Sequence, residues 1–167
     1  MLKKNFILLL GLLLLGSMLI AGCTEIRVAK SGDTVQVHYT GKLVDGTVFD
    51  SSLQRDPFEF TLGTGAVIPG FDKAVTGMKV GDTKTVTIPA AEAYGAHRAD
   101  LVFDIMNTQL PSGLSPKVGD PLQMQTSTGG TMTAVVTAVY DDRISVDANH
   151  SLAGKDLIFE LKLVEIK

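Results

Sequence analysis

One short run carries helical spacing in a stretch of chain that otherwise alternates. "PGFDKAVTGM", residues 69–78, puts Phe71, Ala74, Val75 and Met78 on one face of a helix of two or three turns, with Gly77 close to its end. Around it the pattern has period two. "TVQVHYTGK" at 34–42 sets Val35, Val37 and Tyr39 on one face, and "FEFTL" at 58–62 does the same for Phe58 and Phe60. Antiparallel strands need bury only one face, and one short helix can cover it. The expectation is an α+β fold: a curved antiparallel sheet around a short central helix.

Further strands complete that sheet. "LVDGTVFDSS" is extended around an Asp45-Gly46 turn, residues 83–88 are rich in β-branched side chains, and residues 157–166 place Leu157, Phe159, Leu161 and Leu163 on one face. Between Gly95 and Leu157 the composition changes for 61 residues. Turn signals at Gly129-Gly130 and Asp141-Asp142 separate alternating runs there, and residues 101–106 fit a strand. This middle stretch reads as a small β-rich insertion, with Met124, Met132, Val135 and Val136 available either to pack a core of its own or to stay exposed.

The first 22 residues read as a leader rather than as fold. Lys3 and Lys4 precede an apolar run at 6–22, 17 residues long and broken only by Ser17. A membrane span needs about 20 residues and tolerates about 17, so an uncleaved helix is the competing reading. "LIAGC" favours export, because small residues precede Cys23, the only cysteine. It resembles a bacterial lipobox, which implies lipidation of Cys23, a membrane anchor, and a tether over 23–32. A lipidated cysteine leaves none for a disulfide. Thr24 after it resembles an outer-membrane sorting signal, in a host with two membranes. Cleavage before Cys23 leaves 145 residues, with 13 basic against 18 acidic side chains, a formal charge of −5. With no basic patch, nucleic acid is not an expected partner.

No set of groups for acid–base, nucleophilic or metal chemistry emerges. His38, His97 and His150 lie far apart, and there is no phosphate loop or nucleophile elbow. No metal or cofactor is expected. Aromatic and β-branched residues instead cluster beside turns: Tyr39, Phe49, Phe58, Phe60, Val67, Ile68, Phe71 and Tyr94, with Asp50. Taken singly, each fits ordinary core packing, Phe49 and Phe60 above all. Together they fit an apolar cleft, since Asp50 and two tyrosines bring polar handles to it.

"VHYTGKLVDGTVFDSS", "PFEFTLG", "VIPGFDKAVTGMKVGDTKTVTIPAAEAYG" and "LIFELKLVEI" resemble the FKBP-type peptidyl-prolyl cis/trans isomerases. The resemblance implies an active-site cleft of Tyr39, Phe49, Asp50, Phe58, Val67, Ile68, Phe71, Tyr94 and Phe159. Within it Tyr39, Asp50, Ile68 and Tyr94 would bear on the rotating amide, the Ile68 N–H holding a carbonyl of a substrate or of a macrolide inhibitor. Phe71 stands where many relatives have tryptophan. "VVTAVYDDRISVDANHSLAGKDLIFELKLVEI" resembles the end of the flap insertion of the SlyD-like branch, which implies an isomerase domain at 33–95 and 147–167 and an inserted flap domain at 96–146 that binds unfolded clients. A monomeric enzyme acting on proline-containing exported chains is implied; a non-catalytic peptide-binding module is the alternative. The metal-binding tail of some relatives has no counterpart in the residues after 166.

Overall fold

The computed structural model describes residues 27–125 and 129–167. The leader, Cys23 and Thr24 lie outside the described residues. The described strands are β1 (Thr34–Leu43), β2 (Val48–Ser51), β3 (Phe58–Thr61), β4 (Thr83–Ile88), β5 (Val102–Met106), β6 (Pro121–Gln125), β7 (Thr131–Val139), β8 (Arg143–Asp147) and β9 (Leu157–Ile166), with one α-helix, α1 (Pro69–Val75).

Two antiparallel sheets result. The first runs β2-β1-β9-β4, and β3 also pairs with β1. Ten residues make β1 long enough to serve two partners along one edge: Thr34 to Val37 pair with β3, and Thr40 to Lys42 pair with β2. Its other edge carries β9 from Val35↔Ile166 to Leu43↔Leu157. Alternation sends Val35 and Val37 inward with Leu157, Phe159, Leu161 and Leu163, all buried. The seven-residue α1 is too short to persist alone, so this apolar face is what stabilises it. Phe71, Ala74 and Val75 are buried against the sheet, and Met78 is buried beyond the helix end. The helix is about two turns long, the short end of the expected range: it stops at Val75, and Gly77 turns the chain with φ +86°.

One turn design launches three strands. In Lys30-Ser31-Gly32-Asp33, Lys79-Val80-Gly81-Asp82 and Lys117-Val118-Gly119-Asp120, the lysine N–H donates to the aspartate carboxylate at 3.1, 2.9 and 2.8 Å. The aspartate N–H returns to the lysine carbonyl at 3.0 Å each time. Each glycine sits at φ near +90° and donates to the carbonyl of a buried residue, Leu62, Leu163 or Val136. That same residue donates back to the aspartate carbonyl. β1, β4 and β6 follow these turns.

Residues 27–32, expected as tether, are packed onto the domain. Val28 bridges Lys79, Ala29 is buried, and Ala29 exchanges hydrogen bonds with Met78 and Gly77 at 2.8 and 2.7 Å. The small Ala29 side chain completes the edge of the core, which a solvated tether would not do.

The second sheet, β5-β8-β7-β6, lies wholly between Gly95 and Ala148. Its own core is Ala134, Val136, Ile144 and Val146, with Met124 and Leu122 packed on it. Val135 points the other way and is exposed. Of the four apolar residues singled out in this stretch, Val136 and Met124 thus serve that core, Met132 is half-buried and Val135 is on the surface.

Candidate active site

The inner face of the first sheet changes character toward one end. On β1 the inward series continues from Val35 and Val37 to Tyr39 and then Gly41. The missing side chain at Gly41 leaves room for two rings. A Cβ there would come within 2.6 Å of Phe49 and 3.0 Å of Phe159. Those rings pack edge to face at 5.7 Å, Phe159 meets Phe71 at 5.2 Å, and Phe71 meets Tyr39 at 5.8 Å and Phe60 at 5.6 Å. Phe58 stacks on Phe60 at 5.6 Å and presents its edge to Tyr39 at 6.0 Å. Edge-to-face pairs of this kind add about 0.5–1.5 kcal/mol each beyond burial, so the aromatic wall is stiff.

The result is a cleft of about 440 Å³ lined by Tyr39, Phe49, Asp50, Phe58, Val67, Ile68, Phe71, Tyr94 and Phe159, with Gly65 and Ala66. All nine residues singled out from the sequence line it. Phe60 does not: it is a core residue behind Phe58 and Phe71. His38 faces elsewhere, its Nδ1 3.2 Å from the Ser52 hydroxyl.

Polar groups are few and well placed. The Tyr39 hydroxyl donates to the Asp50 carboxylate, whose other oxygen receives the Ser51 N–H at 2.8 Å. Arg55 closes the network: it pairs with Asp50, donates to the Tyr39 oxygen at 3.3 Å and to the Ser51 carbonyl at 3.0 Å. Burial, reinforced by the adjacent carboxylate, pushes the Tyr39 phenol up to about 12. The hydrogen bond from Tyr39, with help from the Ser51 N–H and Arg55, holds the Asp50 carboxyl below its ordinary value. At neutral pH the pair is thus a neutral phenol donating to a carboxylate. Two further donors remain without partners among the described residues. Ile68 precedes α1, its carbonyl taking the N–H of Phe71 and Asp72 while its own N–H stays open. The Tyr94 hydroxyl is likewise open, at the exposed end of the cleft.

Two residues at this site were not legible beforehand. Arg55 lies in a polar loop where nothing marks it as aimed at Asp50. His150 stacks face to face on Tyr94, centroids 3.9 Å apart and planes 4° apart, although it follows the insertion that Tyr94 precedes. Gly41 carried a usable signal, a glycine interrupting the inward face of a strand, where close approach by neighbours is the usual reason.

A curved antiparallel sheet on one short helix, with an aromatic cleft at the helix entrance, defines an FKBP-like protein. The family model of FKBP-type peptidyl-prolyl cis-trans isomerases matches residues 26–164, and the chain belongs to that family of enzymes. It is 34% identical over 157 residues to the short-type peptidyl-prolyl cis-trans isomerase of Methanocaldococcus jannaschii, which covers 85% of this chain and 96% of that protein. It is 31% identical over 138 residues to the FKBP-type 16 kDa peptidyl-prolyl cis-trans isomerase of Escherichia coli, 82% of this chain and 93% of that protein. With FK506-binding protein 2 of Yarrowia lipolytica identity reaches 57%, over 82 residues. There the match covers 48% of this chain, and the chain spans only 56% of that relative's length.

Proposed function

We propose that this protein accelerates cis/trans rotation of X-Pro bonds in exported client chains. The observation that carries this is the convergence of nine residues from β1, β2, β3, the α1 entrance, the Tyr94 turn and β9 on one aromatic cleft with two open donors. Rotation about the X-Pro amide needs no nucleophile and no proton acceptor. Resonance makes the bond planar and sets a barrier of about 18–20 kcal/mol. The twisted transition state loses much of the amide's charge separation, so a water-poor cavity disfavours it less than it disfavours the planar ground state. Phe58, Val67, Phe71 and Phe159 hold the proline ring in this reading. The Ile68 N–H and Tyr94 hydroxyl hold flanking carbonyls, and Tyr39, Phe49 and Asp50 face the rotating carbonyl. A barrier lowered by ~5 kcal/mol gives roughly four decades in rate.

The finer assignment is to the SlyD-like branch, with residues 96–146 as an inserted flap domain that captures unfolded clients. Exposed Val102, Met106 and Val135, which share one face of the second sheet by register, support that reading, since apolar side chains left on a surface favour contact with unfolded chains. Lipidation at Cys23 would place the enzyme on the cell envelope, facing the periplasm in a two-membrane host. The cleft volume also suits a macrolide inhibitor.

The test is turnover of an X-Pro peptide beside refolding of a proline-limited protein. Catalysis of both is expected, with refolding accelerated disproportionately by client capture. A folded protein that accelerates neither would reduce the cleft to a binding site. Tyr94→Phe is expected to slow turnover modestly, because desolvation and fit are shared among many groups.

A further inference from the structure

Tyr94 is held in the cleft by very little of its own surroundings. Its side chain is 41% exposed, its hydroxyl has no partner among the described residues, and it shares a ring contact with His150 alone among the described aromatic pairs. An exposed tyrosine without such a contact samples several rotamers, and its hydroxyl then spends only part of its time at a substrate carbonyl. His150 removes that freedom. The two planes lie 4° from parallel with centroids at 3.9 Å, and His150 does not line the cleft: it reaches Tyr94 from the neighbouring groove shared with Val135, Ser151 and Lys155.

The imidazole is itself fixed. Its Nδ1 accepts the Leu152 N–H at 3.1 Å, which defines the neutral ring as carrying its proton on Nε2, and its carbonyl accepts the Ala153 N–H at 2.8 Å. Four residues beyond His150, the Gly154 N–H donates to the Gly95 carbonyl at 2.8 Å, immediately next to Tyr94. Gly154 lies so close to His97 that a Cβ would stand 3.1 Å from the His97 side chain. The turn at 150–154 is therefore pinned to the Tyr94-Gly95 turn at both of its ends.

From this geometry we infer that His150 is a positioning residue: the flat imidazole face sets the orientation of the Tyr94 ring, and through it the hydroxyl offered to the substrate. This rests on the isomerase reading above. Its consequence is that a residue just after the insertion steadies one just before it, so the turns on both sides of the insertion must be in place together for full turnover.

The experiment uses the full chain in detergent and measures kcat and KM on an X-Pro peptide. His150→Ala removes the stack and the Leu152 bond; it is expected to lower kcat/KM by roughly two- to tenfold, the range of an aromatic pair, and to lower the unfolding midpoint as well, since the same contacts also stabilise the turn. His150→Phe keeps a flat ring, gives up the Leu152 bond, and is expected to restore most of the turnover. In a Tyr94→Phe background His150→Ala should cost little more, because the hydroxyl that it orients is gone. Proton spectra should show the Tyr94 ring signals shifted upfield in the starting protein and in His150→Phe, and moved back in His150→Ala. Unchanged kcat/KM in His150→Ala, failure of His150→Phe to rescue, or independent multiplication of the two effects overturns the inference while leaving the isomerase reading intact. A folded starting protein with no turnover overturns both.

Discussion

Gly41→Ala isolates the function of the aromatic wall from its contribution to stability. The backbone at Gly41 lies outside the left-handed region, so alanine is not strained there by φ. What it meets is rings: Phe49 Cζ at 2.6 Å and Cε2 at 2.7 Å, and Phe159 Cε1 at 3.0 Å. Phe159 is 5% exposed and held by Phe71 at 5.2 Å and Tyr39 at 6.2 Å, so it yields only by the few tenths of an ångström that a 3.0 Å approach demands. Phe49 is half-buried on a four-residue edge strand, and the clash falls on the far end of its ring. It therefore swings out, and its 5.7 Å pair with Phe159 is lost. That loss is about 0.5–1.5 kcal/mol, partly offset by roughly 0.5–1 kcal/mol gained from replacing glycine inside a strand. The half-buried ring also gives up part of its burial, about 1 kcal/mol, so net destabilisation stays below about 2 kcal/mol, whereas the cleft loses one wall. Urea unfolding and peptide turnover measured on the same preparation give the comparison: a modestly lowered midpoint with kcat/KM down by up to ~10-fold. A variant with full turnover would refute the reasoning. So would a loss above about 3 kcal/mol, which would mean that Phe159 and the sheet, not Phe49, had to move.

Three other outcomes can be checked. Gly70→Ala places a Cβ 2.3 Å from Cγ2 of the fully buried Ile88, which has nowhere to go; overpacking of this kind costs about 1–3 kcal/mol and should lower the unfolding midpoint. Asp147 is held at about 2, first by the hydrogen bond from His97 and then by Asn149, so its stabilisation is full above pH ~4 and fades as pH falls toward 2. Asp147→Asn should flatten the pH dependence of stability in that window, and an unchanged slope would show the contact absent in solution. Tyrosinate absorbance should find Tyr39 titrating at about 12, and Asp50→Asn should bring it down only in part, because burial is the larger cause; full return to an ordinary phenol value would assign the effect to Asp50 instead.

What was legible in the sequence followed from short-range rules. Period two placed Val35, Val37 and Tyr39 on one face of β1 and the leucines of β9 on one face of theirs, and helical spacing placed Phe71, Ala74 and Val75 on α1. Met78 shows the limit: its spacing extends the helical face, yet Gly77 breaks the helix and Met78 reaches the core from a turn. Residues 27–32 looked like tether because six residues carry too little pattern to reveal an edge contact with Lys79. The apolar residues of the insertion could be counted beforehand, but only strand register divided Val136 inward from Val135 outward.

The cleft divides in the same way. Most of its aromatic members stand beside turns in the sequence, so the chain by itself determined which residues were available for a pocket, and Phe71 and Phe159 serve the core as well. Their convergence, the closure of Asp50 by Arg55 and the stacking of His150 on Tyr94 depend on pairings across strands and across the insertion. Such contacts obey no local periodicity. They follow from where the sheet curves and which turns it brings together, and only the tertiary structure decided that.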